Sequence, residues 1–188
     1  MKKTIFSLLI VFTLSSNFTS AQIPDGFKKG SVVLTNNSKV EGNIKELLSS
    51  KATIVFVAAT GTKKTYSVAE LTSFEIGSEN YIAFANDFYK TIINGSRANL
   101  YQKQTNNSGK LLYNGADAFT ATTTDGRIGD WYIQVKNNDD LLLVTAKNFE
   151  TVVGTAFADC SSLIGDLKSN QLNYAQLSKT VEKYNSCK

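Results

Sequence analysis

Hydrophobic and polar positions follow three patterns along this chain: an apolar run at the start, a period of two through the middle, and a helical period at the end. From Gly30 onward Val32 and Leu34 fall on one side of an extended segment. The Asn36-Asn37-Ser38 cluster turns it, and Val40, Gly42 and Ile44 resume the alternation. Ala52 to Ala58 is a near-continuous apolar run, and Gly61 turns it. Lys64 to Val68 returns with Tyr66 and Val68 on one side, and Thr72 to Ile76 adds a fifth segment. Five short strands with tight turns across residues 22–78 predict a small SH3-like barrel or a bent antiparallel sheet. Gly42 reads as a bend or bulge in a curved strand.

Strand signals resume after Gly77. Tyr81 to Phe84 and Phe88 to Ile93 lead to Asn94-Gly95, a pair suited to a two-residue hairpin turn because both central positions there need positive φ. Arg97 to Lys103 returns, Asn106-Asn107-Ser108-Gly109 turns into Lys110 to Tyr113, and Ala118 to Thr123 ends before Asp125-Gly126. Trp131 to Lys136 and Leu141 to Thr145 flank Asn137-Asn138-Asp139-Asp140, with Trp131, Ile133 and Val135 on one side. Residues 79–146 are expected to form a second antiparallel β region.

Past Asn148 the period becomes helical. Phe149, Val152, Val153, Ala156, Phe157, Cys160, Leu163, Ile164 and Leu167 make one apolar stripe, weakened by Gly154 and Gly165, so a break is expected near Cys160. A second helix starts around Asn173, with Gln176 three residues on, and buries Tyr174, Leu177, Val181 and Tyr184. Residues 147–188 therefore read as a helical pair packed on the sheet. If the chain reverses at Lys168 to Leu172, the two stretches run antiparallel and bring Cys160 beside Cys187, the only cysteines. A disulfide there is worth about 3–4 kcal/mol by loop entropy.

The apolar start changes the setting of everything after it. Lys2 and Lys3 precede the run Ile5 to Leu14, and Thr19-Ser20-Ala21 supplies small residues for cleavage, so residues 1–21 read as a secretory signal peptide and Gln22 as the mature N-terminus. The run is about half of the roughly 20 residues a spanning helix needs. No Cys follows the cleavage site to take a lipid anchor, and no later segment is apolar enough to span. The expected location is periplasmic or extracellular. Loss of Lys2 and Lys3 lowers the basic count from 20 to 18 against 16 acids, so the net charge falls from +4 to +2. That small charge is no nucleic-acid signature.

Candidate chemistry is sparse. The chain has no His, which removes the commonest general base, the Ser-His-Asp and Cys-His triads and nearly all catalytic zinc sites. Gly61, Gly109 and Gly115 are isolated, so no phosphate-cradling loop is expected, and no cofactor is implied. Asn137 to Asp140 carries calcium-type oxygen donors but lacks the spacing and the distant Glu of a calcium loop, so no metal ligands are assigned. A carboxylate pair remains possible chemistry. Asp117, Asp125 and Asp130, however, stand in turn-like sequence that explains them locally. Aromatic residues crowd the second β region. They either fill its core or, in the case of Tyr81, Phe84, Tyr101, Trp131 and Tyr132, line a ligand surface for sugar or peptide.

Two resemblances accompany these patterns. The layout from Val33 through Val40-x-Gly42-x-Ile44 to Tyr66-Ser67-Val68 and Phe74-x-Ile76 resembles SH3-like and Sm-like small barrels, without the loop residues by which Sm-like proteins hold RNA. The order of "GSVVLTNNSKVEGNI", "TYSVAELTSFEI", "NGSRANLYQK", "DWYIQVKNNDDLLLV", "FADCSSLI" and "VEKYNSCK" resembles uncharacterised secreted proteins of the Bacteroidota type. That likeness implies the envelope or exterior of a Gram-negative cell and carries no activity. The overall expectation is a β-rich α+β protein: a non-catalytic exported interaction or structural module whose partner is an envelope or extracellular protein or glycan. Two alternatives stand beside it. One is a carboxylate-dependent hydrolase or binder of envelope glycans or peptides. The other is RNA binding, which compartment and charge oppose.

Overall fold

The computed structural model describes residues 23–187. The signal peptide over 1–21, the mature start at Gln22 and the terminal Lys188 lie outside the described residues. The expected alternation builds β1 (Lys28–Leu34), β2 (Lys39–Leu47), β3 (Thr53–Ala58), β4 (Lys63–Ser67) and β5 (Leu71–Ile76), with a single helical turn, α1 (Leu48–Lys51), before β3. It continues through β6 (Glu79–Phe84), β7 (Asp87–Asn94), β8 (Ala98–Lys103), the hairpin β9 (Leu111–Asn114) and β10 (Asp117–Thr120), then β11 (Trp131–Val135) and β12 (Leu142–Val144). Helices α2 (Phe149–Ala156), α3 (Ser161–Lys168) and α4 (Leu177–Asn185) follow. No described helix is long and apolar enough to cross a membrane.

Ten strands join one antiparallel sheet in the order β12-β11-β8-β7-β6-β5-β1-β2-β3-β4, and β9-β10 forms a separate two-stranded sheet. The sheet is open, so the SH3-like barrel expected over 22–78 does not close. The reason is that a strand has only two edges. β5 pairs with β1 on one side and with β6 on the other, which leaves β4 as a free edge. Lys63 and Lys64 lie on that edge, where charged side chains discourage pairing with another chain, and Lys64 forms an ion pair with Glu70 at 3.1 Å. The boundary between the two expected β regions falls at Gly77-Ser78, a turn inside this one sheet.

The N-terminal strands bury their apolar side by curling. Val32, Ile44, Ile54, Phe56, Tyr66, Phe74, Tyr81 and Phe88, from strands β1 to β7, share one core. Fully burying side chains of this size stabilises by about 1.5–3 kcal/mol each. Gly42 allows the curl by close approach rather than by a bulge. It pairs in register with Gly30 and Ala58, and a Cβ there would run into the Phe56 ring and the Val57 carbonyl.

At the other end, the same side of the sheet is covered by helices. Ala98, Leu100, Ile133 and Val144 pack against Phe149, Val153, Phe157, Leu163, Leu177 and Val181. The expected long helix breaks where Gly154 and the Cys160 region weaken it, giving α2 and α3. The helical pair is therefore three helices, of which α3 and α4 are the antiparallel two. Cys160 and Cys187 are bonded, with Cα atoms 6.0 Å apart, while Lys183 pairs with Asp166 one turn further along. Asn173 N–H donates to Gln176 Oε1 at 3.3 Å at the entry to α4, as the sequence predicted.

The two turns that shape β6, β7 and β8 differ from expectation. The two-residue hairpin with both φ positive is Ala85-Asn86, between β6 and β7. Asn94-Gly95 instead opens a wider loop, since Asn94 pairs with Asn99 and neither Asn94 nor Gly95 has positive φ. That loop is shaped from outside. Asn185 Oδ1 accepts from the N–H groups of Arg97 at 2.9 Å and Ala98 at 2.8 Å, and Asn185 Nδ2 donates to the Ala98 carbonyl at 2.9 Å. A Cβ on Gly95 would collide with the Asn185 amide. Arg97 completes the clamp by stacking over the Tyr184 ring, donating to the Cys187 carbonyl at 3.0 Å and pairing with Asp159.

Candidate functional site

Alternation sends Val32, Phe74, Tyr81, Phe88, Leu100 and Ile133 to the covered side, so their neighbours in sequence must face the other way. Strand register then lines those neighbours into rows running across the sheet. One row is Glu41, Ser31, Glu75 and Asn80, from β2, β1, β5 and β6. The next is Lys39, Val33, Ser73, Ile82, Tyr89 and Lys103, reaching β8. With strands about 4.8 Å apart, Glu41 and Glu75 stand roughly 10 Å apart at their Cα atoms, with Ser31 between them.

The rows line an open groove of about 470 Å3 bordered by Ser31, Val33, Lys39, Ser73, Glu75, Asn80, Ile82, Thr91, Asn94 and Tyr101. A second lobe of about 330 Å3 shares Ser31, Lys39 and Glu75 with it and adds Lys29 and Glu41. Ser31 is only 7% exposed and lines both lobes. Among the described residues no group of three or more His, Cys, Asp and Glu side chains converges as a metal site. Asp139 and Asp140 are exposed in their turn, where Asn138 Oδ1 accepts from Asp140 N–H at 3.0 Å.

The groove ends against a buried polar network. Asp87 and Lys103 are both 0% exposed, with Lys103 Nζ 3.0 Å from Asp87 Oδ2. Asp87 Oδ1 accepts from Thr105 Oγ1 and from Asn107 N–H, each at 2.9 Å, and Lys103 also donates to the Thr124 carbonyl at 2.8 Å. Thr124 Oγ1 and Tyr89 Oη are 2.6 Å apart, and Tyr132 Oη donates to the Asp125 carbonyl. These bonds hold the segments 104–110 and 121–130 over the sheet, covering Tyr89 and Tyr132. Burial raises the phenol pKa values of Tyr89, Tyr101 and Tyr132, so all three stay protonated and hydrogen-bonding at neutral pH. Tyr101 Oη accepts from Asn99 Nδ2 at 2.9 Å and donates to Gln134 Oε1 at 3.2 Å.

The five aromatic residues considered for a ligand surface are divided among three cores. Tyr81 is buried in the N-terminal core, stacked on Phe74 with ring centres 4.5 Å apart. Tyr101 and Tyr132 are buried in the tyrosine cluster, with Phe84 packed against it, and Trp131 packs half-buried against the helical core. Only Tyr101 borders the groove, at 5% exposure. Asp117, Asp125 and Asp130 do not form a pair within it. Asp117 and Asp125 are exposed on β10 and a turn, and Asp130 accepts from Arg127 N–H at 2.7 Å. The groove residues Ser31, Lys39, Glu75, Asn80 and Ile82 were missed by sequence reasoning, although the period of two already assigned them to the side opposite Val32, Phe74 and Tyr81. Comparison of the chain with protein-family models, with curated proteins and with solved structures finds no match.

Proposed function

We propose that this chain is an exported, non-catalytic interaction module of the cell envelope or extracellular space, and that it binds through the groove on the open side of its sheet. The observation that carries this reading is the pair of cross-strand rows, which gather Ser31, Lys39, Glu75 and Asn80 around an open floor of Val33 and Ile82. Further support comes from the leader-like residues 1–21 and the cysteine pair at bonding distance. The test is affinity capture from envelope extracts with the mature chain and with the variant Glu75→Gln/Asn80→Ala. The reading predicts a captured component that the variant loses, and it fails if the variant captures the same set.

Carboxylate-dependent hydrolysis of envelope glycans or peptides is a second reading, favoured by Glu41 and Glu75 flanking Ser31 on one row. It predicts release of product from an envelope substrate by the wild-type chain and none by Glu41→Gln or Glu75→Gln. Equal release by all three proteins overturns it.

A further inference from the structure

We infer that the ligand of this groove is an uncharged glycan lying across the strands. The inference rests on the binding reading above and names the class of molecule bound.

The argument starts from what the sheet leaves free. β1, β5, β6 and β7 are interior strands, paired on both edges, so their backbone N–H and C=O groups are already used. A peptide adding itself to a sheet needs an open edge, and this groove has none. Recognition here belongs to side chains alone. Those side chains are charge-balanced, with Lys29 and Lys39 against Glu41 and Glu75, so the lining selects neither a polyanion such as nucleic acid nor a polycation.

A pyranose ring has an apolar C–H side and a rim of hydroxyls that both donate and accept. Val33 and Ile82 form an apolar strip in one row, separated by Ser73, and the adjacent row places acceptors on Glu75, a donor and acceptor on Asn80, and a hydroxyl on Ser31. Ser31 lines both lobes, which adds a hydroxyl able to donate and accept where the two meet. From β2 to β8 the lining spans five strand spacings, about 24 Å, which is room for a short oligosaccharide rather than one sugar.

The test uses the mature chain, 15N-labelled, titrated with chitotetraose, cellotetraose and mannotetraose, and with an N-acetylated, amidated tetraalanine as the peptide probe. Saturable shifts of the Ser31, Ser73, Glu75, Asn80 and Ile82 amides with at least one oligosaccharide support the inference. Affinity should then fall about tenfold in Glu75→Gln and in Asn80→Ala, the loss of one good hydrogen bond. Lys179→Ala, exposed on α4 on the opposite, covered side of the sheet, should leave it unchanged. No shift with any oligosaccharide, or equal shifts in wild type and both groove variants, overturns the glycan. If the groove variant still loses its captured envelope component while no oligosaccharide binds, the binding reading survives and the glycan inference falls. If capture is also unchanged, both fall.

Discussion

The two ends of the sheet bury the same side by different means. The N-terminal end folds back on itself, so its core is drawn from β1 to β7 and depends on short connections and the close approach at Gly42. The C-terminal end borrows its cover from the helices that follow β12, which the Cys160–Cys187 bond ties to one another and the Asn185 and Arg97 clamp ties to the 94–98 loop nearly ninety residues away. A core made of neighbouring hairpins needs no staple, whereas the helices of the cover gain one from the disulfide, which closes a 27-residue separation. The buried Asp87–Lys103 pair sits between the ends and serves both.

The difference can be broken in four ways, in descending order of expected effect. Replacing Lys103 by Met leaves the Asp87 carboxylate buried without its cation, which should cost about 3–5 kcal/mol in urea denaturation. Because the pair also anchors the segments over Tyr89 and Tyr132, loss should loosen both ends together. Removing the disulfide with Cys160→Ser/Cys187→Ser should cost about 3–4 kcal/mol. Here hydrogen exchange should rise in α3, α4 and the 94–98 loop while β1 to β5 stay protected. Uniform loss of protection would erase the distinction between the ends.

Asn185→Ala, which strips three hydrogen bonds from the loop, should cost about 1–3 kcal/mol, with the same C-terminal bias in exchange. Raising pH acts on both ends. Burial pushes the phenols of Tyr81, Tyr89, Tyr101, Tyr132 and Tyr184 above their usual value near pH 10, so the folded chain keeps protons that the unfolded chain gives up. Stability from these groups is therefore complete below about pH 10 and declines as pH rises beyond it. Phenolate absorbance should appear together with loss of circular dichroism, and phenolate formation in a still-folded chain would contradict the burial.

Strand and helix positions were largely legible because period-two and helical stripes are local properties of Val32 to Ile44, Trp131 to Val135 and Phe149 to Leu167. The cysteine pairing was legible for the same reason, once a reversal near Lys168 was assumed. Strand order was not. Closure of the first five strands depends on whether β5 gives its second edge to β4 or β6, and nothing within β5 records that choice. The Asn94-Gly95 turn misled because its geometry is set by Asn185, far away in sequence. Nothing local marks Asp87 and Lys103 for burial, since only the pairing of Tyr89 with Lys103 across β7 and β8 brings them under the loop that buries them. The groove shares this cause, for its rows exist only once β2, β1, β5 and β6 are placed side by side.

The most direct measurement of whether the open side of the sheet is the working surface is photo-crosslinking in intact producing cells, with a photoreactive residue at Asn80 and, as control, at exposed Lys179 on α4. Binding through the groove predicts a specific envelope or extracellular adduct from position 80 and none from position 179. The same adducts at both positions, or none at position 80, would contradict it.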